Sequence, residues 1–89
     1  MSSDVDMKAC TILERLSAEF SGGSVDYTCT QDLHEFHVTN AGLTHELGFH
    51  QRVLELEDIP DIEQVVTRLA DQLRTANGPR RIRVGAHEA

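Results

Sequence analysis

The sequence has no tryptophan, and one tyrosine and three phenylalanines are its whole aromatic complement. Apolar residues nevertheless recur with regular periods, which separates the chain from disordered sequences of similar polarity. Cysteine is nearly as scarce: Cys10 and Cys29 are too few and too widely spaced for a disulfide framework or a zinc knuckle. Two reduced thiols are expected. Basic residues are short, 8 against 15 acids, for a net charge of −7. That balance repels phosphate backbones and anionic lipid heads, so nucleic acid and membrane surfaces are disfavoured while a basic protein partner is favoured. No apolar run approaches the length that spans a bilayer, and MSSDVDMKAC has neither the basic nor the apolar region of a secretory leader. The expected location is cytoplasmic. Repeats, linkers and low-complexity tracts are missing too, and 89 residues make one domain. Function in so small a body is expected on a surface rather than in a deep cleft.

What is present divides by period. Val5, Ala9, Ile12, Leu13, Leu16 and Phe20 fall on one stripe at helical spacing, with Lys8, Thr11, Arg15 and Ala18 facing away. A helix over residues 5–21 follows, stopped by Gly22 and Gly23 in the left-handed conformation. These glycines follow a helix and precede a strand, the reverse of a phosphate-cradling loop. From residue 24 the period becomes two. Val25, Tyr27 and Cys29 share a face of one strand, Phe36 and Val38 of a second, and Leu43, Leu47, Phe49 and Val53 of a third. Turn chemistry sits at Gln31 and Asp32 and at Asn40, Ala41 and Gly42. Asp58 then caps a second helix with Pro60 in its first turn, and Ile62, Val65, Val66, Leu69, Leu73 and Ala76 form its stripe. Two one-sided helices and a one-sided sheet pack as a two-layer α+β sandwich of order αβββα, both helices on one sheet face.

The domain is expected over residues 1–79, which hold 14 acids against 5 bases. Residues 80–89 differ: Arg80, Arg81 and Arg83 form a basic C-terminal tail or a short fourth strand at a sheet edge. Used as an arm, that cluster is the one feature favouring a nucleic-acid adaptor, but three arginines neutralise too few phosphates for strong binding. The helix, three strands, helix order resembles the double-stranded RNA-binding domain in topology. In that family the last helix begins with phosphate-gripping lysines, whereas here DIPDIEQ, residues 58–64, carries acids.

Four of five histidines fall within HEFHVTNAGLTHELGFH, residues 34–50. Matching core faces across the hairpins opposes Val25 to Val38, Tyr27 to Phe36 and Cys29 to His34. The second hairpin then opposes Val38 to His45, Phe36 to Leu47 and His34 to Phe49. His34 and His45 point inward; His37 and His50 point outward. A cross-strand row Asp26, His37, Glu46 follows, an imidazole between two carboxylates. It is the candidate for a weak divalent-metal or pH-responsive site, although charge balance across strands explains it as well. Cys29 and His34 pair a nucleophile with a base, yet they lie on the face the helices should cover, where packing is their expected role.

The resulting expectation is a non-enzymatic protein-binding domain without catalytic residues or cofactor. Glu35, His37, Glu46, His50 and Arg52 line its uncovered sheet face. Asp26 and Thr28 extend that face, and Leu54 or Leu56 adds apolar contact. Homodimerisation through an open strand edge is the corollary.

Overall fold

The computed structural model describes residues 3–85. Its elements are α1 (Ser3–Glu19), β1 (Ser24–Thr30), β2 (Leu33–Asn40), β3 (Leu43–His50), α2 (Gln51–Leu56), α3 (Ile59–Arg74) and β4 (Arg81–Val84). This is the expected α+β sandwich with one short helix added and the arginine segment resolved into a strand. The sheet has the order β1-β2-β3-β4. Its first three strands form an antiparallel meander, and β4 joins parallel to β3 after α2 and α3 have carried the chain back. Residues 86–89 of the tail lie outside the described residues.

Every cross-strand pair expected from face matching is observed. Inward residues of the sheet, Phe36, Val38, Leu47 and Phe49, are buried with Ile12, Leu16 and Phe20 from α1 and its end, and with Ile62, Val66 and Leu73 from α3. Phe36 anchors an aromatic line, stacked on Tyr27 at 4.9 Å between ring centroids and edge-on to Phe49 at 5.8 Å. At one end of the helical layer Arg74 reaches Glu19 and Asp71 and lies over the Phe20 ring. The β2–β3 hairpin turns through Ala41 and Gly42, both at positive φ, the combination that a two-residue turn of right-handed twist requires.

Several local expectations are corrected. Gly22 and Gly23 are not in the left-handed region among the described residues, and α1 ends at Glu19. Gly23 is needed for close approach instead: a Cβ there would run into the Thr39 carbonyl. Lys8 does not face solvent. It is 7% exposed, and its Nζ donates to the Leu54 carbonyl at 2.8 Å. The third strand does not run on through Val53. It ends at His50, and the Gln51 amide turns to the Asp32 carbonyl at 2.7 Å as α2 begins. Asp58 does stand at the N-cap of α3, without a side-chain capping bond.

Candidate functional site

The outer sheet face is built by strand parity, and it carries Asp26 and Thr28 from β1, Glu35 and His37 from β2, and Glu46 and His50 from β3. The row Asp26, His37, Glu46 is in register and continues to Arg81 on β4. That continuation changes its chemistry. Arg81 Nε donates to Glu46 Oε1 at 3.0 Å, and Arg83 Nη2 lies 3.9 Å from Glu35 Oε2. Arg83 reaches over Gly48, where an added Cβ would stand 3.4 Å from its Cγ and 3.3 Å from Leu33 Cδ1. The missing side chain at Gly48 thus leaves a channel for the arginine stem to cross β3.

His37 leans along its own strand, its Nε2 3.7 Å from Glu35 Oε1, rather than across to Asp26 or Glu46. That nitrogen is buried and makes no hydrogen bond among the described residues. Glu46 is occupied by Arg81, so the three members of the row do not converge. Among the described residues no group of three or more His, Cys, Asp or Glu side chains is arranged to hold a metal ion. Two arginines beside Glu35 and Glu46 also remove the charge argument for a basic partner at this face.

Three residues expected on the face are on α2 instead. Arg52 is exposed on α2, and Leu54, from the same helix, is fully buried in the core. Leu56 is 72% exposed at the end of α2. Of the expected set, Glu35, His37, Glu46 and His50 share the sheet face.

The inward histidines are both buried, and each makes a specific contact. His45 is 1% exposed, and its Nδ1 accepts a hydrogen bond from the Arg80 amide at 3.1 Å. The Arg80 carbonyl in turn accepts from the Glu46 amide at 2.8 Å. His45 therefore fastens the chain at the entrance to β4. Burial, and then the positive charge of Arg80, lower its pKa from the usual histidine value.

His34, 2% exposed, lies between β1 and α2. Its Nδ1 is 2.7 Å from Tyr27 Oη, and its Nε2 is 3.4 Å from Gln51 Oε1 and 3.9 Å from Cys29 Sγ. Gln51 Nε2 donates to Glu55 Oε2 at 3.2 Å, which turns the amide oxygen toward the ring. The Tyr27 hydroxyl is pushed up to about 12, by burial first and then by the neighbouring Cys29. It remains a neutral phenol across the physiological range. Cys29 itself is exposed, against the expectation that the helices cover it. Cys10 is exposed as well, and both thiols are free.

No family model and no curated protein matches the chain. Its surfaces therefore have to be weighed on their chemistry. An open groove of about 560 Å³ runs past α1 and α3, lined by Arg15, Glu63, Thr67, Arg68 and their neighbours. Its charges are mixed, and Arg15 donates to Thr67 Oγ1 from Nε at 3.4 Å and from Nη2 at 3.3 Å. No helix among the described residues is long and apolar enough to cross a membrane.

The edges of the sheet are better differentiated. β4 covers the outer edge of β3, which leaves β1 and β4 as the edge strands. β4 has four residues, two of them arginine. β1 has seven, SVDYTCT, with no proline, lysine or arginine. Sequence reasoning missed this asymmetry because it depends on where the arginine segment docks.

Proposed function

We propose that the chain is a small non-enzymatic protein-binding domain that takes an extended segment of its partner onto the open edge of β1. The contrast between the two edges carries this reading. Short, charged edge strands resist pairing, and longer ones without proline or basic residues invite it. β1 is of the second kind and β4 of the first.

The hairpin geometry specifies which groups are on offer. A two-residue turn closes on a hydrogen-bonded pair, here Thr30 and Leu33, and pairs alternate along the ladder. Amides and carbonyls of Val25, Tyr27 and Cys29 therefore face away from β2. A partner strand satisfies them and sets its side chains beside Asp26 and Thr28, with Glu35, His37, Glu46 and His50 extending the same face. A second copy of the chain is one such partner, which would join two sheets across a two-fold axis.

The test is capture of a partner with tagged wild-type chain, with Cys29→Pro, with Cys29→Ser, and with Glu35→Lys plus Glu46→Lys. Proline at residue 29 removes an outward amide while the ladder to β2 stays intact; serine leaves that amide in place. The partner is expected to stay with the serine and charge-reversed variants and to leave with the proline variant. Retention by the proline variant overturns the edge reading, and loss only on charge reversal moves the interface to the outer face. Size-exclusion with light scattering addresses self-pairing, which a strict monomer at high concentration rules out.

A further inference from the structure

We propose that Cys29 is a modification site, a thiol activated by His34 toward hydroperoxides. This goes beyond strand addition and does not depend on it. The chain carries two exposed cysteines, and they differ in their surroundings. Cys10 lies on α1. Cys29 stands opposite His34 in the β1–β2 ladder, its Sγ 3.9 Å from the imidazole Nε2.

The imidazole is held at both nitrogens. Tyr27 Oη meets Nδ1 at 2.7 Å, and Gln51 Oε1, fixed by the bond from its amide to Glu55, meets Nε2 at 3.4 Å. In the tautomer in which Nδ1 donates to the tyrosine oxygen, Nε2 is the acceptor nitrogen and faces the sulfur. Tyr27 stacks on His34 with an interplanar angle of 7°, which fixes the plane of the ring. The arrangement is a nucleophile, a base and groups that orient the base. Its accessibility is divided usefully: the sulfur is open to a reagent, and the base is 2% exposed.

The reaction balances with a hydroperoxide as the only co-reactant. The thiol proton passes to the imidazole, and the thiolate attacks the terminal peroxide oxygen. An S–O bond forms as the O–O bond breaks, and the leaving oxygen takes the proton from the imidazolium. Sulfur is oxidised to the sulfenic acid, and the peroxide is reduced to water or an alcohol.

The two thiols provide an internal control. Full-length chain is exposed to hydrogen peroxide at about pH 7 with dimedone present, and adducts at each cysteine are followed by peptide mass spectrometry. Cys29 is expected to be trapped at least about tenfold faster than Cys10, the scale on which a thiol assisted by a neighbouring base exceeds an unassisted one. His34→Gln is expected to remove most of that advantage while the Cys10 rate stays constant. If circular dichroism shows that this buried variant does not fold, Tyr27→Phe serves, with an expected loss of about threefold or more at Cys29 alone. Equal rates at the two cysteines of the wild-type chain overturn the proposal. An advantage undiminished in a folded His34→Gln or Tyr27→Phe variant overturns it equally.

Discussion

Leu54 and Leu56 stand two residues apart, so an extended strand would put them on one face and truncation of either would cost much the same. The turn into α2 separates them. Leu54 is 0% exposed and Leu56 72% exposed. Leu54→Ala deletes buried methyl groups from the shared core, a change that costs about 2 to 5 kcal/mol. Leu56→Ala removes surface already in water and should stay within about 0.5 kcal/mol of the parent. For a domain of this size the whole stability is about 4 to 13 kcal/mol, so Leu54 alone supports a large share of it. A loss of about 3 kcal/mol lowers the melting temperature by roughly 12 to 24 °C at about 4 to 8 °C per kcal/mol. It moves the urea midpoint down by about 3 M if the slope is about 1 kcal/mol per M. Urea unfolding followed by far-ultraviolet circular dichroism measures both variants, with unchanged slopes expected. Equal losses at the two positions, or a Leu54→Ala variant as stable as the parent, would refute the placement of α2 against the core.

Lys8→Met keeps the apolar stem but removes the bond to the Leu54 carbonyl, leaving that acceptor without its charged donor. A loss of about 1 to 3 kcal/mol is expected in the same assay, and a gain would show that the buried ammonium costs more than it contributes. His45 supplies a pH dependence. Its folded-state pKa is lowered, so the folded chain binds fewer protons than the unfolded chain below about pH 6.5. Stability is complete above that value and declines as pH falls through it toward the lowered one. His45→Gln should flatten this decline between about pH 7.5 and 5.5; parallel urea-midpoint profiles for variant and parent would contradict it. A double-mutant cycle on Glu46 and Arg81, exposed partners at 3.0 Å, should return a coupling of about 0.2 to 1 kcal/mol that shrinks with added salt. A larger value that salt does not affect would mean the pair is more shielded than its exposure indicates.

The hairpin register was legible in the sequence because a one-residue slip would turn Phe36, Val38, Leu47 and Phe49 to solvent. Strand parity alone then sorted His34 and His45 from His37 and His50. The readings of QRVLEL, Lys8 and Glu46 failed for one cause: each depended on a contact between segments distant in the chain. QRVLEL fits two periods, and only the bond from Gln51 to Asp32 and the place for Leu54 beneath α1 select the helix. Lys8 looks like a surface residue until the Leu54 carbonyl arrives from 46 positions away. Glu46 looks available to a metal until Arg81 is set beside it. Cys29 has the parity of a core residue, but β1 is an edge strand and Cys29 stands near its end, where the side chain is exposed.

The parallel pairing of β4 with β3 has a consequence for how the molecule is made. Translation delivers the meander in spatial order, and each hairpin can zip as soon as it leaves the ribosome. β3 ends at His50, and its second neighbour does not begin until Arg81. While α2 and α3 are being synthesised, the strand bearing Leu47 and Phe49 has one side bare. A message broken before Arg80 would release chains carrying that bare side, along with a His45 whose acceptor nitrogen has lost the Arg80 amide. Such fragments should stick to one another through β3, whereas the finished chain presents its two arginines there. In this sense Arg81 and Arg83 work as gatekeepers against aggregation, appended after the hazard they cover.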